Sequence, residues 1–312
     1  MSRLESAVNS KISVQEAPRL TKSLRKWTSY LFVIPSLVFI GLFMIFPIAY
    51  NLIISFQNVT IMNLAGEREF VGWLNYITIF KDAAFSVSLK NSVLFTSFCI
   101  IFQFVIGFAF ALFFNQKFPG RNLVRSLLLL AWMFPIVITA TLFKWMLSND
   151  YGIVNYVLLT LGVIDQPIHW LTESSTSLLG TIIGNVWVGI PFNMIILLSA
   201  LQSLPEDLYE AARIDGASRF QQFYHITIPL LKPTILILLM LGIVYTFKVF
   251  DLIFIMTAGG PVNSSTVLPL YAYQLAFEQF EFSKGAAVAS IMFVIMSVFA
   301  LVYLWMIRKE EQ

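Results

Sequence analysis

Cysteine, histidine and charge are all scarce in this chain of 312 residues. The one cysteine, Cys99, cannot form an intrachain disulfide, and its place inside an apolar run makes packing its default role. The two histidines, His169 and His225, lie far apart in the chain, one on each side of the membrane in the topology below, so no metal constellation is expected. No G-x-x-x-x-G-K-[ST] loop occurs, so nothing is built to bind and hydrolyse ATP. Charged residues make up 12% of the chain, against about 25% in ordinary soluble domains. The net charge of +3 is not gathered into a soluble basic patch, which argues against nucleic-acid binding. No low-complexity linker and no internal repeat is visible.

Apolar residues supply what charge does not. They form 58% of the sequence and cluster into runs near the ~20 residues that cross a bilayer as a helix. Six runs are read, at about 29–50, 91–114, 124–147, 178–201, 232–256 and 286–307. Strand barrels would give ~10-residue alternating segments instead, so an all-α integral membrane protein is expected. The first run exceeds a signal-peptide core and no small-x-small site follows it, so it is read as a retained span.

Lysine and arginine set the orientation, because cytoplasmic flanks are enriched in them. They occur before the first span (Arg19, Lys22, Arg25, Lys26), after the second (Lys117, Arg121, Arg125), between the fourth and fifth (Arg213, Arg219, Lys232) and after the sixth (Arg308, Lys309). Residues 148–177 contain neither. Six spans with both termini cytoplasmic satisfy this pattern. The expected organisation is a cytoplasmic tail, 1–28, and a six-span domain, 29–308, with no soluble enzyme attached.

The most organised polar stretch lies between the fourth and fifth runs, Ser203 to Pro233. Ser203 and Glu206 have capping-box spacing, with Pro205 at an early helical position. Gly216 is placed to end that helix. A second short helix carries Phe220, Phe223 and Tyr224 as one apolar stripe, and Pro229 and Pro233 punctuate the return to the membrane. A helix–turn–helix of this kind should press against a partner. The bland alternative is that it packs on its own span ends.

Within this stretch, Glu210-Ala211-Ala212, Asp215-Gly216-Ala217, Phe223, Ile226, Pro229 and Pro233 resemble the EAA loop of permease subunits in bacterial ABC importers. Ile228 stands where that loop usually has leucine. A second series, Thr257-Ala258-Gly259-Gly260-Pro261, Leu270-Tyr271, Tyr273, Ala276-Phe277 and Gly285-Ala286-Ala287, is similar to the carbohydrate-uptake branch, the maltose- and glycerol-phosphate-type permeases. The resemblance covers about residues 25–308. It implies the type I ABC importer permease fold and a non-catalytic subunit that binds no cofactor, with ATP and Mg on a partner ATPase. Its implied partners are a second homologous permease, two copies of the ATP-binding subunit, an extracytoplasmic solute-binding protein, a sugar-type cargo and the lipid bilayer. Residues 203–230 would be the coupling loop, with Glu210, Ala211, Ala212, Asp215, Gly216, Ala217, Phe220 and Phe223 meeting the ATPase.

The cargo path is read from two sources. Ionisable residues inside a span are costly, and Lys248 and Asp251, three residues apart in the fifth run, would share one helical face. They could line a polar cavity or lock that span to a neighbour by a salt bridge. The resemblance adds Val188, Gly189 and Phe192 in the fourth span and Gly242, Tyr245, Thr246 and Val249 in the fifth. Helix packing is the competing role for the two glycines. Gly189 and Pro191 are expected to break the fourth helix. An ion-coupled secondary transporter using Lys248 and Asp251 is the rival function, and it leaves the EAA loop unexplained.

Overall fold

A computed structural model describes residues 32–64 and 66–310, with side chains to residue 308. The expected tail 1–28, with Arg19, Lys22, Arg25 and Lys26, and the side chain of Lys309 lie outside the described residues. The chain divides into two compact units at Tyr50/Asn51. Among the described residues every regular element is helical, and Gln57 and Phe70 form an isolated bridge.

Five helices are long and apolar enough to cross a membrane. They are α1 (Phe32–Ser55), α3 (Ala83–Asn115), α7 (Ser177–Gln202), a continuous helix Arg219–Phe247 and α13 (Phe282–Glu310). The short α2 (Leu74–Lys81) precedes α3, whose first turn is capped by Asp82 accepting from the Ala84 N–H at 2.8 Å. The third expected span, 124–147, is not one straight helix. It is a pair, α4 (Arg121–Met133) and α5 (Ile136–Met146), bent by 97°. Pro135 is the cause: its ring disfavours helical backbone at the residue before it, and Phe134 is extended with ψ 138°.

The fourth helix corrects an expectation in the opposite sense. Residues 177–202 form one unbroken helix with Pro191 inside it. The neighbouring α3 braces this segment. A Cβ on Gly107 would stand 2.6 Å from Asn193 Cβ and 3.2 Å from the Ile190 carbonyl oxygen, so only glycine lets the two backbones approach this closely. The α3–α7 pair is the largest helix contact, and Phe108, Ala111, Met194, Leu197 and Leu201 are buried along it.

The return into the fifth span also departs from expectation. Pro229 and Pro233 do not interrupt it. Here α9 (Arg219–Gln222) passes through a π-turn, Phe223–Thr227, into α10 (Ile228–Phe247), and the Ile228 N–H reaches back to the Phe223 carbonyl. Pro229 falls just after that wider turn, and Pro233 sits inside the helix. The span ends at Phe247 instead of 256, and residues 251–256 form a separate helix, α11 (Asp251–Met256).

At the end of the molecule opposite residues 203–230, two asparagines organise the connections. Asn155, on α6 (Ile153–Thr160), donates to the Ile168 carbonyl at 3.0 Å, and its Oδ1 accepts from Trp170 Nε1 at 2.9 Å. Trp170 is thereby held within the loop. Asn91 donates to the carbonyls of Asn263, Ser264 and Thr266 at 3.0–3.1 Å. In the Thr257–Pro261 segment, Gly259 has φ +86°, and a Cβ there would collide with Thr266 Oγ1, so both conformation and space demand glycine. After it, α12 (Leu268–Tyr273) brings the Tyr271 hydroxyl to Asp82, donating at 2.6 Å. Burial and the Asp82 carboxylate push the Tyr271 phenol well above its ordinary range.

Candidate functional site

The 203–230 stretch folds as two short helices projecting from the ends of α7 and α10. The first, α8 (Glu206–Ile214), begins without the expected capping box. Ser203 Oγ instead donates back to the Ala200 carbonyl at 2.8 Å, and Pro205 occupies the N-cap position, where it offers no side-chain acceptor. The box occurs one helix later. Ser218 Oγ accepts from the Gln221 N–H at 3.3 Å while Gln221 Oε1 accepts from the Ser218 N–H at 2.8 Å. Gly216 ends α8 as expected. Its φ is +80°, the Ala217 N–H reaches the Ala212 carbonyl at 2.9 Å, and the Gly216 N–H reaches Arg213 at 3.1 Å. This is the left-handed C-terminal turn that glycine alone adopts cheaply.

The aromatic stripe divides in two. Phe223 turns inward, its ring centroid 5.7 Å from that of Phe108 on α3, and joins the α3–α7 core. Phe220 and Tyr224 turn outward and are 76% and 62% exposed, beside Ile214 at 86%. Glu210, Ala211, Asp215 and Gly216 are exposed with them, and Ala212 and Ala217 are half-buried. A further contact, not foreseen from sequence, ties the loop to its span: Tyr209 on α8 hydrogen-bonds the buried Thr227 of the π-turn at 2.9 Å between hydroxyl oxygens.

A cavity of about 450 Å³ opens between α3, the α4–α5 bend, α7 and α10. Val188, Gly189 and Phe192 line it from α7; Gly242, Tyr245 and Thr246 line it from α10, with Val249 just beyond. All seven residues expected along a path from the resemblance therefore meet in one hollow. The glycines differ in role. A Cβ on Gly189 would overlap the Gln103 side-chain amide, whereas one on Gly242 would find only Ile100 Cγ1 at 3.6 Å.

Gln103, Asn185, Asn193, Trp132 and Ile136 also line the hollow and were not anticipated. Gln103 Nε2 donates to the Asn185 carbonyl at 2.9 Å, and Asn193 Nδ2 donates to the Gly189 carbonyl at 2.9 Å. The Trp132 and Phe192 rings stack with centroids 5.7 Å apart. Among the described residues, Tyr245 is the one ionisable residue that lines the cavity.

Lys248 and Asp251 stand outside it. They flank the break between α10 and α11, so they do not share a helical face; both are exposed, and no ion pair joins them among the described residues. The Lys248 ammonium lies 4.9 Å from the Tyr245 ring centroid, on a residue whose ring lines the hollow. A different lysine bridges two helices here. Lys144, in the last turn of α5, donates to the Ile255 carbonyl at 2.9 Å and joins the bent pair to α11.

Residues 103–311 match the family described as the binding-protein-dependent transport system inner membrane component. The chain belongs to this family. The trehalose/maltose transport system permease protein MalF of Thermococcus litoralis is 35% identical over 88% of this chain and 92% of its own length. The lactose transport system permease protein LacF of Rhizobium radiobacter is 34% identical over 90% of this chain and 94% of its own. Among solved structures, a bacterial ABC transporter involved in import of the acidic polysaccharide alginate superposes with a TM-score of 0.80 at 26% identity, covering 94% of this chain and 99% of that one.

The permease thus has the type I ABC importer fold, and it is a multi-pass component of the inner membrane. As an ABC transporter permease it is a non-catalytic subunit, with ATP hydrolysis belonging to a separate one. Relatives named for maltose, trehalose and lactose set it within carbohydrate import and away from ion-coupled secondary transport.

Proposed function

We propose that this permease forms one half of the translocation pore of an ATP-driven, binding-protein-dependent importer for a sugar or polyol. In this reading it has six spans, the bent α4–α5 pair counting as one, with both termini and residues 203–230 in the cytoplasm. The observation that carries the coupling role is the exposed apolar face of that loop. Phe220, Tyr224 and Ile214 present large apolar surface on the same two-helix stretch as the exposed Glu210, while Phe223 and the Tyr209–Thr227 hydrogen bond fix the loop to the membrane helices. Aromatic side chains held on a rigid support suit a protein interface. The ATP-binding subunit would seat there, and Glu210 would meet a basic residue of that subunit.

The 450 Å³ hollow would be this subunit's share of the cargo path. Its amides, the Thr246 hydroxyl and the Tyr245 phenol can pair with sugar hydroxyls, and its Trp132–Phe192 stack offers a face for the C–H side of a sugar ring. A hollow free of carboxylates and lysines suits a neutral cargo better than an acidic one such as the alginate carried by its structural relative. The alginate importer has also been crystallised with an alginate pentasaccharide-bound periplasmic protein. By analogy, the end carrying the Asn91- and Asn155-held loops would receive a solute-binding protein.

Co-purification from native membranes tests the assembly. A second permease, ATP-binding subunits and a solute-binding protein are expected to accompany the chain, and one sugar-loaded binding protein should raise ATP hydrolysis. Glu210→Lys should abolish that rise while the protein remains inserted. Normal uptake by this variant would sink the coupling assignment.

A further inference from the structure

Beneath the coupling loop lies a second, larger recess of about 1040 Å³, bounded by the end of α3, the turn into α4, the end of α7 and both loop helices. Four cations line it, Lys117 and Arg121 from the α3–α4 turn and Arg213 and Arg219 from the loop, against the single carboxylate of Glu206. A positive-inside bias accounts for cations at this end of the molecule. It does not account for their convergence from two separate segments onto one concavity. Nor are they neutralised among the described residues. Among the described residues none of the five forms an ion pair; Arg121 donates to the Gln116 carbonyl at 3.2 Å and Arg213 to the Tyr209 carbonyl at 3.2 Å, which orients both side chains without cancelling charge. Like charges gathered around one concavity repel one another and focus a positive potential. A dianionic or monoanionic oxygen cluster relieves that repulsion.

From this geometry we propose that the recess binds a phosphate group, with Lys117, Arg121 and Arg219 as its principal donors and Arg213 closing the loop side. Arginine forks match phosphate oxygens two at a time, and lysine adds a point charge. Two sources share this chemistry, a headgroup of an anionic phospholipid and a free phosphate ion. The lipid source rests on the cytoplasmic placement of this end, where basic pockets between spans take anionic headgroups. Bound phosphate would brace the α3–α4 turn against both helices of the coupling loop.

Native mass spectrometry of the intact importer complex, released from neutral detergent and titrated with dioleoyl phosphatidylglycerol or with inorganic phosphate, reads the site directly. One saturable adduct is expected, retained from phosphatidylglycerol if the source is lipid and from inorganic phosphate if it is free. Lys117→Gln with Arg121→Gln should weaken that adduct about fivefold per charge removed, and Lys117→Arg with Arg121→Lys should restore it. Both substitutions lie outside the coupling loop, so a failed coupling assignment leaves this test standing. Equal adducts in wild type and the neutralised variant, no saturable adduct from either probe, or loss of the ATP-binding subunit from the neutralised complex would overturn the proposal, the last by assigning the cations to a protein partner.

Discussion

Glycine carries two different jobs on the wall of the hollow, and each has a measurable consequence. At Gly189 the Gln103 amide occupies the space a side chain would need. Gly189→Val must displace Gln103 and forfeit its bond to the Asn185 carbonyl, at an expected cost of about 1–3 kcal/mol and a lowered Tm in detergent. Gly242→Ala meets ordinary contact at 3.6 Å and should change stability by no more than about 0.5 kcal/mol, the range typical of neutral sites, with Tm nearly unmoved. A sequence alone cannot separate these glycines, because both sit in apolar runs at helical spacing. The uncharged amides of Gln103, Asn185 and Asn193 were legible in principle as polar residues inside spans. Uncharged amides carry a weaker signal than ionisable groups do, and Lys144 lies close enough to the end of its run to read as a flank.

Elements were legible where a single local rule governs them. The apolar runs place three of the straight spans, Phe32–Ser55, Ser177–Gln202 and Phe282–Arg308, close to their ends, while Ala83–Asn115 begins well before its run, and Gly216 ends its helix as its left-handed turn requires. The sequence misled where two rules compete. Pro135 bends a span by 97°, while Pro191 and Pro233 leave theirs continuous. The difference lies in what surrounds each proline: the residue before Pro135 is free to extend, whereas Pro191 is clamped by α3 at Gly107. Lys248 and Asp251 fell apart for a related reason, since α10 ends at Phe247, before both of them, and Asp251 opens the next helix. The tie of residues 203–230 to their span has a consequence at this scale. Tyr209→Phe removes the hydrogen bond to Thr227, worth about 1 kcal/mol. ATP hydrolysis should persist in this variant while sugar moved per ATP falls by about fivefold, measured as the ratio of uptake to hydrolysis in proteoliposomes.

For the whole molecule the open quantity is sidedness. Counting the bent pair as one span gives six and returns both ends to the same side; five spans would separate them. The native Cys99 is fully buried, so it contributes little background to thiol labelling. Val163→Cys and Ile214→Cys place thiols at positions 65% and 86% exposed, on opposite ends of the molecule. An impermeant reagent should label the first in intact spheroplasts and the second only after permeabilisation. Labelling of both from outside would refute the six-span topology.

The most direct test of the central claim, that residues 203–230 transmit nucleotide-driven motion to the pore, is ATP hydrolysis by the complete importer in proteoliposomes with and without sugar-loaded binding protein, for the wild-type chain and for Gly216→Pro. Proline cannot adopt the φ of +80° at this position, so the turn between the two loop helices must reorganise. Loaded binding protein should stimulate the wild-type complex and not the variant, with both chains inserted in equal amount. Equal stimulation of the two, or solute movement by the chain without ATP, would contradict it.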